Sequence, residues 1–289
     1  MNKKIFIYAL TTLAFTACSS DDDGTTTPPV QERRLTVVVN ETPFVSADGG
    51  EAKERMDTRG NVITTSSLSG FKMNYGDNKY SFTKNNNTWT SFSWPTGVEN
   101  NVTINFYAYN AGTYVSNGNN NYLSFEADEN ASNNTDLLVA KHEKISFNDA
   151  NGQVSLTFSH ACAAIDFTVE ISNTLHSKLN NDLTVNSIVL KNVVKQGDYF
   201  YNTESWTPSN TTTNYTLNNS EMTVTTDPQS LSCGTLFVIP QILGANAYFE
   251  ISYNTGGANK TTSISLKDVK WEAGHHYQMN IRLGTDNIK

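Results

Sequence analysis

Five histidines and three cysteines are the side chains of this 289-residue chain best suited to catalysis or metal binding. Their spacing favours neither. No H-E-x-x-H run sets two imidazoles one helical turn apart for zinc. His275 and His276 are adjacent, so on a strand they point to opposite faces and cannot share an ion. His160 and Cys162 do share a face, as a Cys–His nucleophile or a metal site would need. That face is apolar and no third ligand is visible, so a packed core histidine with one hydrogen bond is expected. Asp149-x-Asn151-Gly152 and Asp128-Glu129-Asn130 lack the spaced carboxylates of a calcium loop and read as turns. G-x-S-x-G, P-loop and dinucleotide-binding glycine patterns do not occur. The expectation is therefore no catalytic residue, no metal site and no cofactor. Trp89, Trp94, Trp206 and Trp271 are the other candidates: gathered on one surface they would stack sugar rings, and separated they are core or turn-packing residues.

Cys18 carries chemistry of a different kind. Lys3 and Lys4 form a basic head before the apolar stretch Ile5 to Ala17. That stretch is thirteen residues long, against about 20 needed to cross hydrocarbon, which makes it a signal-peptide core rather than a membrane span. Phe15-Thr16-Ala17-Cys18 resembles a lipobox, with phenylalanine where leucine is usual. Residues 1–17 are expected to be removed as a signal peptide, leaving a lipidated Cys18 and a linker over 18–34. Two or more acyl chains hold a protein stably on a membrane. The acidic run Ser19 to Asp23 resembles the signal that sends Bacteroidetes lipoproteins to the outer face of the outer membrane, and it equally suits a solvated tether. Such an exported compartment permits a Cys162–Cys233 disulfide. Cys162 lies among alanines in an apolar strand, which favours a buried free thiol.

Positioning these residues falls to β-strands. Threonine, serine and asparagine are abundant, as are tyrosine (13) and phenylalanine (14), a composition suited to half-solvated strands joined by polar turns. The formal charge is −8, and loss of Lys3 and Lys4 leaves 18 basic against 28 acidic residues, or −10. That surface repels phosphate backbones, and nucleic acid is not an expected partner.

Period-two alternation dominates the mature chain. It is clearest at Val102 to Tyr109 and Tyr277 to Leu283. Further strands are expected at 35–39, 68–75, 79–83, 88–93, 121–126, 136–141, 183–190, 198–202, 221–226, 235–239, 247–253 and 262–267. Only Ser172 to Leu183 suits a helical turn or two, and no stretch supports a βαβ unit. One segment changes parity. Val154, Leu156 and Phe158 are apolar at even positions, and Ile165, Phe167, Val169 and Ile171 at odd ones. A one-residue shift flips every side chain to the other face. His160-Ala161-Cys162-Ala163-Ala164 must therefore hold either a β-bulge or a crossing between two sheets.

That segment resembles the "H-A-L-A-K" signature of the fimbrillin family of Bacteroidetes lipoproteins, with Cys162 in place of leucine and Ala164 in place of lysine. Asp136-Leu137-Leu138-Val139-Ala140 resembles the family's "D-L-L-x-A" strand, and Trp271-x-x-Gly274-x-x-Tyr277 its "W-x-x-G-x-x-Y" strand entry. Thr58-Arg59-Gly60, followed by Leu68-x-x-Phe71, is similar to its N-terminal segment.

The resemblance implies an all-β fold of two tandem transthyretin-like β-sandwich domains, here 35–150 and 151–289, the boundary falling at the polar stretch Asn148 to Gly152. It implies a surface-exposed type V pilus component acting in adhesion, with other pilus subunits as partners through strand exchange. The outer membrane, reached through the lipid, and a host or bacterial surface ligand complete the implied partners. Leu35 to Val39 would be the leaving strand, and Arg59 or Arg55 the site where an arginine-specific protease frees it. After Leu283 only six residues remain. At about 3.3 Å each they are too short to leave the domain and fill a neighbour's groove. A tip, anchor or accessory place is therefore expected rather than a stalk. The alternative is a non-pilus surface glycan-binding lipoprotein presenting the tryptophans. If lipid alone holds the protein on its membrane, Cys18→Ser should move it to the soluble fraction; membrane-bound variant of unchanged size would contradict this.

Overall fold

Strict alternation in the strand Gln153–His160 buries Val154, Leu156, Phe158 and His160 and leaves the residues between them exposed. The same rule, applied strand by strand, builds an all-β molecule. The computed structural model describes residues 33–46, 63–179, 183–255 and 257–288. All of these lie in one compact unit, Arg33–Lys289.

The first sheet has eight strands. Their order is Thr88–Trp89, Asn78–Asn85, Gly70–Tyr75, Ile104–Tyr109, Leu138–Ile145, Gln153–His160, Arg34–Glu41 and Phe92–Ser93. The expected single strand 88–93 is thus two short strands at opposite ends of the sheet, and the chain passes from one to the other through Thr90 and Ser91. The sheet curls around its own core, where Phe82 and Phe92 meet with ring centroids 5.6 Å apart. Leu35, Phe106 and Phe158 fill that core.

Two further sheets pack over a second core. In one, Ala163–Ile171 lies between Gln229–Ser230 and His275–Leu283, and Val45–Ser46 follows as the outermost strand. In the other, Leu183–Val194 lies between Thr212–Asn218 and Tyr248–Thr255, with Ala258–Ser265 at the edge. Ile165, Leu190, Phe249 and Trp271 belong to the core these sheets share.

A four-stranded sheet of Ser205–Pro208, Gln196–Phe200, Tyr122–Glu126 and Thr113–Val115 adds to a third core, with Leu123 and Tyr199, on the outer face of the first sheet. Strand Ile104–Tyr109 therefore buries both faces: Ile104, Phe106 and Ala108 face the first core, and Tyr107 and Tyr109 the third.

The parity change at 160–164 is a crossing between sheets. Gln153–His160 pairs in the first sheet and Ala163–Ile171 in the second. Pairing changes hands at Ala161 and Cys162, because Val154, Leu156 and Phe158 complete the first core. The turn before the last strand is built at the same place. Trp271 anchors it in the core, and Gly274 at φ +68° takes a left-handed conformation that glycine adopts without strain. The Tyr277 hydroxyl accepts a hydrogen bond from the Glu272 amide at 2.9 Å.

Among the described residues three pairings are parallel: Arg34–Glu41 with Gln153–His160, Ala163–Ile171 with His275–Leu283, and Val45–Ser46 with His275–Leu283. The described helices, Phe147–Ala150 and Asn173–Leu179, are one or two turns long.

Candidate functional site

Strand Arg34–Glu41 is unlike a hairpin strand. Its sheet neighbours are Gln153–His160, parallel, and Phe92–Ser93, antiparallel, both remote in sequence. Leu35 and Val37 point into the first core. Burial of each stabilises the strand by about 1.5–3 kcal/mol. At its start the Arg33 guanidinium donates to the Val98 carbonyl at 2.6 Å and to Asn100 Oδ1 at 2.8 Å. At its end the chain leaves the first sheet. The Thr42 amide donates to the Phe158 carbonyl at 2.8 Å, and three residues later the Val45 amide donates to the Gly274 carbonyl at 2.8 Å. Residues 34–46 thus bind two sheets in succession.

A buried polar cluster sits at that transfer. His160 closes its strand, and its Nδ1 lies 2.5 Å from Asp136 Oδ2; both side chains are fully buried. Asp136 stands just before Leu137 and Leu138, which enter opposite cores. The Ala161 amide donates to the Leu137 carbonyl at 2.8 Å, which draws the two segments together. The Phe44 ring stacks on the His160 imidazole with centroids 3.7 Å apart and planes at 19°. Glu41 Oε1 is 3.4 Å from His160 Nε2, an electrostatic contact too long for a good hydrogen bond. Its other oxygen accepts from the Thr65 amide at 2.5 Å. Burial pushes the Asp136 carboxyl above its ordinary range, and the hydrogen bond and charge of His160 offset only part of that rise.

His160 is a core histidine with one hydrogen bond, as its apolar face suggests. Its partner Asp136 was legible as a lone acid heading an apolar run, 24 residues upstream. Glu41 and Phe44 carried no such signal. Cys162 and Cys233 are unbridged. Burial raises the Cys162 thiol well above its ordinary value and pushes Cys233 up to about 12, which suppresses the thiolate in both.

His275 Nδ1 is 2.9 Å from the Ala273 carbonyl, whereas His276 Nε2 is 2.9 Å from Asp166 Oδ2. The described residues contain no group of three potential ligands arranged for a metal ion. The four tryptophans divide among three cores: Trp89 and Trp94 in the first, Trp271 in the second and Trp206 in the third. They form no common sugar-stacking surface. Cys18, Arg55, Arg59 and the Thr58-Arg59-Gly60 segment lie outside the described residues.

Sheets curled and packed around three cores, with the polar cluster joining strands, define an all-β protein. Residues 53–289 match the model of the fimbrillin-like family, and the chain belongs to that family. It is a structural, non-enzymatic protein of the cell surface with a fimbrial-type role. A comparison with curated proteins finds no match.

Solved structures share the fold. A candidate cell adhesion protein of Bacteroides ovatus aligns with TM-score 0.53 at 13% identity, over 89% of this chain and 95% of that one. A candidate cell adhesion protein of Bacteroides uniformis aligns with TM-score 0.50 at 17% identity, over 91% and 96%. A fimbrial protein of Bacteroides vulgatus aligns with TM-score 0.50 at 16% identity, over 89% and 96%.

Removing one member of a buried pair strands the other, at a cost of about 3–5 kcal/mol. Asp136→Ala and His160→Ala should each lower the urea midpoint accordingly, and the double variant should lose at least about 1 kcal/mol less than the sum. Additive losses would mean that the two side chains are not coupled.

Proposed function

We propose that the chain is a surface-exposed lipoprotein subunit of a type V pilus, held in the outer membrane through Cys18 until cleavage and assembled by strand exchange. Two transthyretin-like sandwiches, passing one into the other at Ala161-Cys162, form its body. The observation that carries the proposal is the pairing of Arg34–Glu41. A hairpin strand cannot leave without dragging its partner; this one has neighbours far away in sequence and is joined onward through 47–62, which contains Arg55 and Arg59. Cutting there frees a segment held by main-chain hydrogen bonds and by Leu35 and Val37. A neighbour's strand restores both when it takes the same place beside Gln153–His160.

Within the pilus we place the chain at a tip, anchor or accessory position. Strand His275–Leu283 is not available as a donor. It pairs with Ala163–Ile171 from His276 to Leu283, and it buries Ile281 and Leu283 in the second core. In this reading the subunit accepts a strand and keeps His275–Leu283 in its own sheet. Adhesion to a host or bacterial surface ligand completes the role.

Purified protein treated with an arginine-specific protease should be cut at Arg55 or Arg59 and remain monomeric by electron microscopy, with strand 34–41 still in place. Long homopolymers would contradict the terminal position. An intact chain resistant to the protease under native conditions would contradict release of the strand.

A further inference from the structure

An apolar groove alone accepts many strands. Alternating apolar residues fit it in any register shifted by two, because the side-chain period is two. Leu35, Val37 and Val39 therefore cannot by themselves fix the position of a strand in the place of 34–46. The cluster at the crossing can.

Resting on the strand-exchange reading above, we propose that His160 and Asp136 form a recognition pocket for the incoming strand. The pocket selects an extended segment of another subunit with three alternating apolar residues. A carboxylate follows at the position of Glu41, and an aromatic ring at that of Phe44.

The resident segment shows what the pocket accepts. Asp136 holds Nδ1 of His160 and so turns Nε2 and one ring face toward residues 41–44. Glu41 supplies a carboxylate 3.4 Å from Nε2 and also accepts the Thr65 amide. Phe44 covers the ring face at 3.7 Å. Withdrawing 34–46 uncovers a buried imidazole whose Nδ1 stays with Asp136 and whose Nε2 and ring face lose their cover. An acid arriving at position 41 restores the carboxylate contact at Nε2 and the bond to the Thr65 amide, whereas a lysine there has no acceptor to offer that amide. The ring at 44 replaces an offset-stacked contact.

Geometry makes the pocket a register gauge as well. The Thr42 and Val45 amides bind the Phe158 and Gly274 carbonyls, one on each sheet, so a strand displaced by two residues would present its acid and ring to neither.

The test uses the full chain nicked at Arg55 or Arg59, challenged with fluorescent synthetic peptides spanning residues 33–46 and read by anisotropy. The native peptide should replace the resident strand, and Asn40→Ser should bind equally, since Asn40 is exposed. Glu41→Gln and Phe44→Ala should each bind about tenfold more weakly. The composition-matched exchange Asn40→Glu with Glu41→Asn should be as weak as Glu41→Gln. Equal binding by all peptides would overturn the pocket while leaving strand exchange intact.

If even the native peptide fails to enter, strand exchange itself is contradicted and amide hydrogen exchange in the uncut chain decides the pocket. Glu41→Gln and Phe44→Ala should then speed exchange at Thr42 and Val45 about tenfold. The Thr36 amide, bound to the Gly152 carbonyl at 2.9 Å, should be unaffected. Unchanged exchange at Thr42 and Val45 would overturn it.

Discussion

A strand that leaves one sheet for another takes its N–H and C=O groups out of one ladder before the next can receive them, and each such group buried without a partner is costly. Here two segments make that passage at the same place: residues 158–164, and residues 41–46 beside them. The backbone satisfies the need with bonds that belong to neither ladder. The Ala161 amide reaches Leu137, the Gly274 amide reaches the Cys162 carbonyl at 2.9 Å, and the Trp206 indole donates to the Ala161 carbonyl at 2.7 Å. The residues there are small because backbones converge; Ala161, Cys162, Ala163 and Ala164 are all buried. His160 is the exception in size, and Asp136 with Phe44 encloses it.

The remainder of the architecture follows from that crossing. One chain segment contributes to the first core on one side and the second core on the other, so the sheets cannot drift apart without breaking it. The Arg34–Ser46 segment repeats the connection from the N-terminal side, first parallel to Gln153–His160, then parallel to His275–Leu283. It is therefore a stabilising strap that has no hairpin partner.

Much of this was legible in the sequence. Alternation located the long strands, and the parity change between Phe158 and Ile165 pointed to the crossing, since only a bulge or a change of sheet reconciles the two phases. It could not choose between them, because a bulge and a crossing leave the same mark on one strand. Short strands such as Thr113–Val115 lie below the length at which a period shows. Thr212–Asn218 did carry a signal, Tyr215 alternating with Leu217, in a threonine-rich stretch that resembles a loop. The parallel partners were out of reach for another reason: period two states which face is buried and nothing about which strand lies alongside. Glu41 and Phe44 were hidden likewise, an acid and an aromatic in a polar tail until the fold brings His160 to them.

Residues 34–46 pass from the first sheet to the second over His160. Nuclear Overhauser contacts in selectively labelled full-length protein measure that passage directly. Cross-peaks between the Phe44 ring and the His160 imidazole, together with contacts from Val45 to His275, are the predicted result. A segment 34–41 in contact with 153–158 but with Phe44 and Val45 showing no contact to His160 or His275 would contradict it.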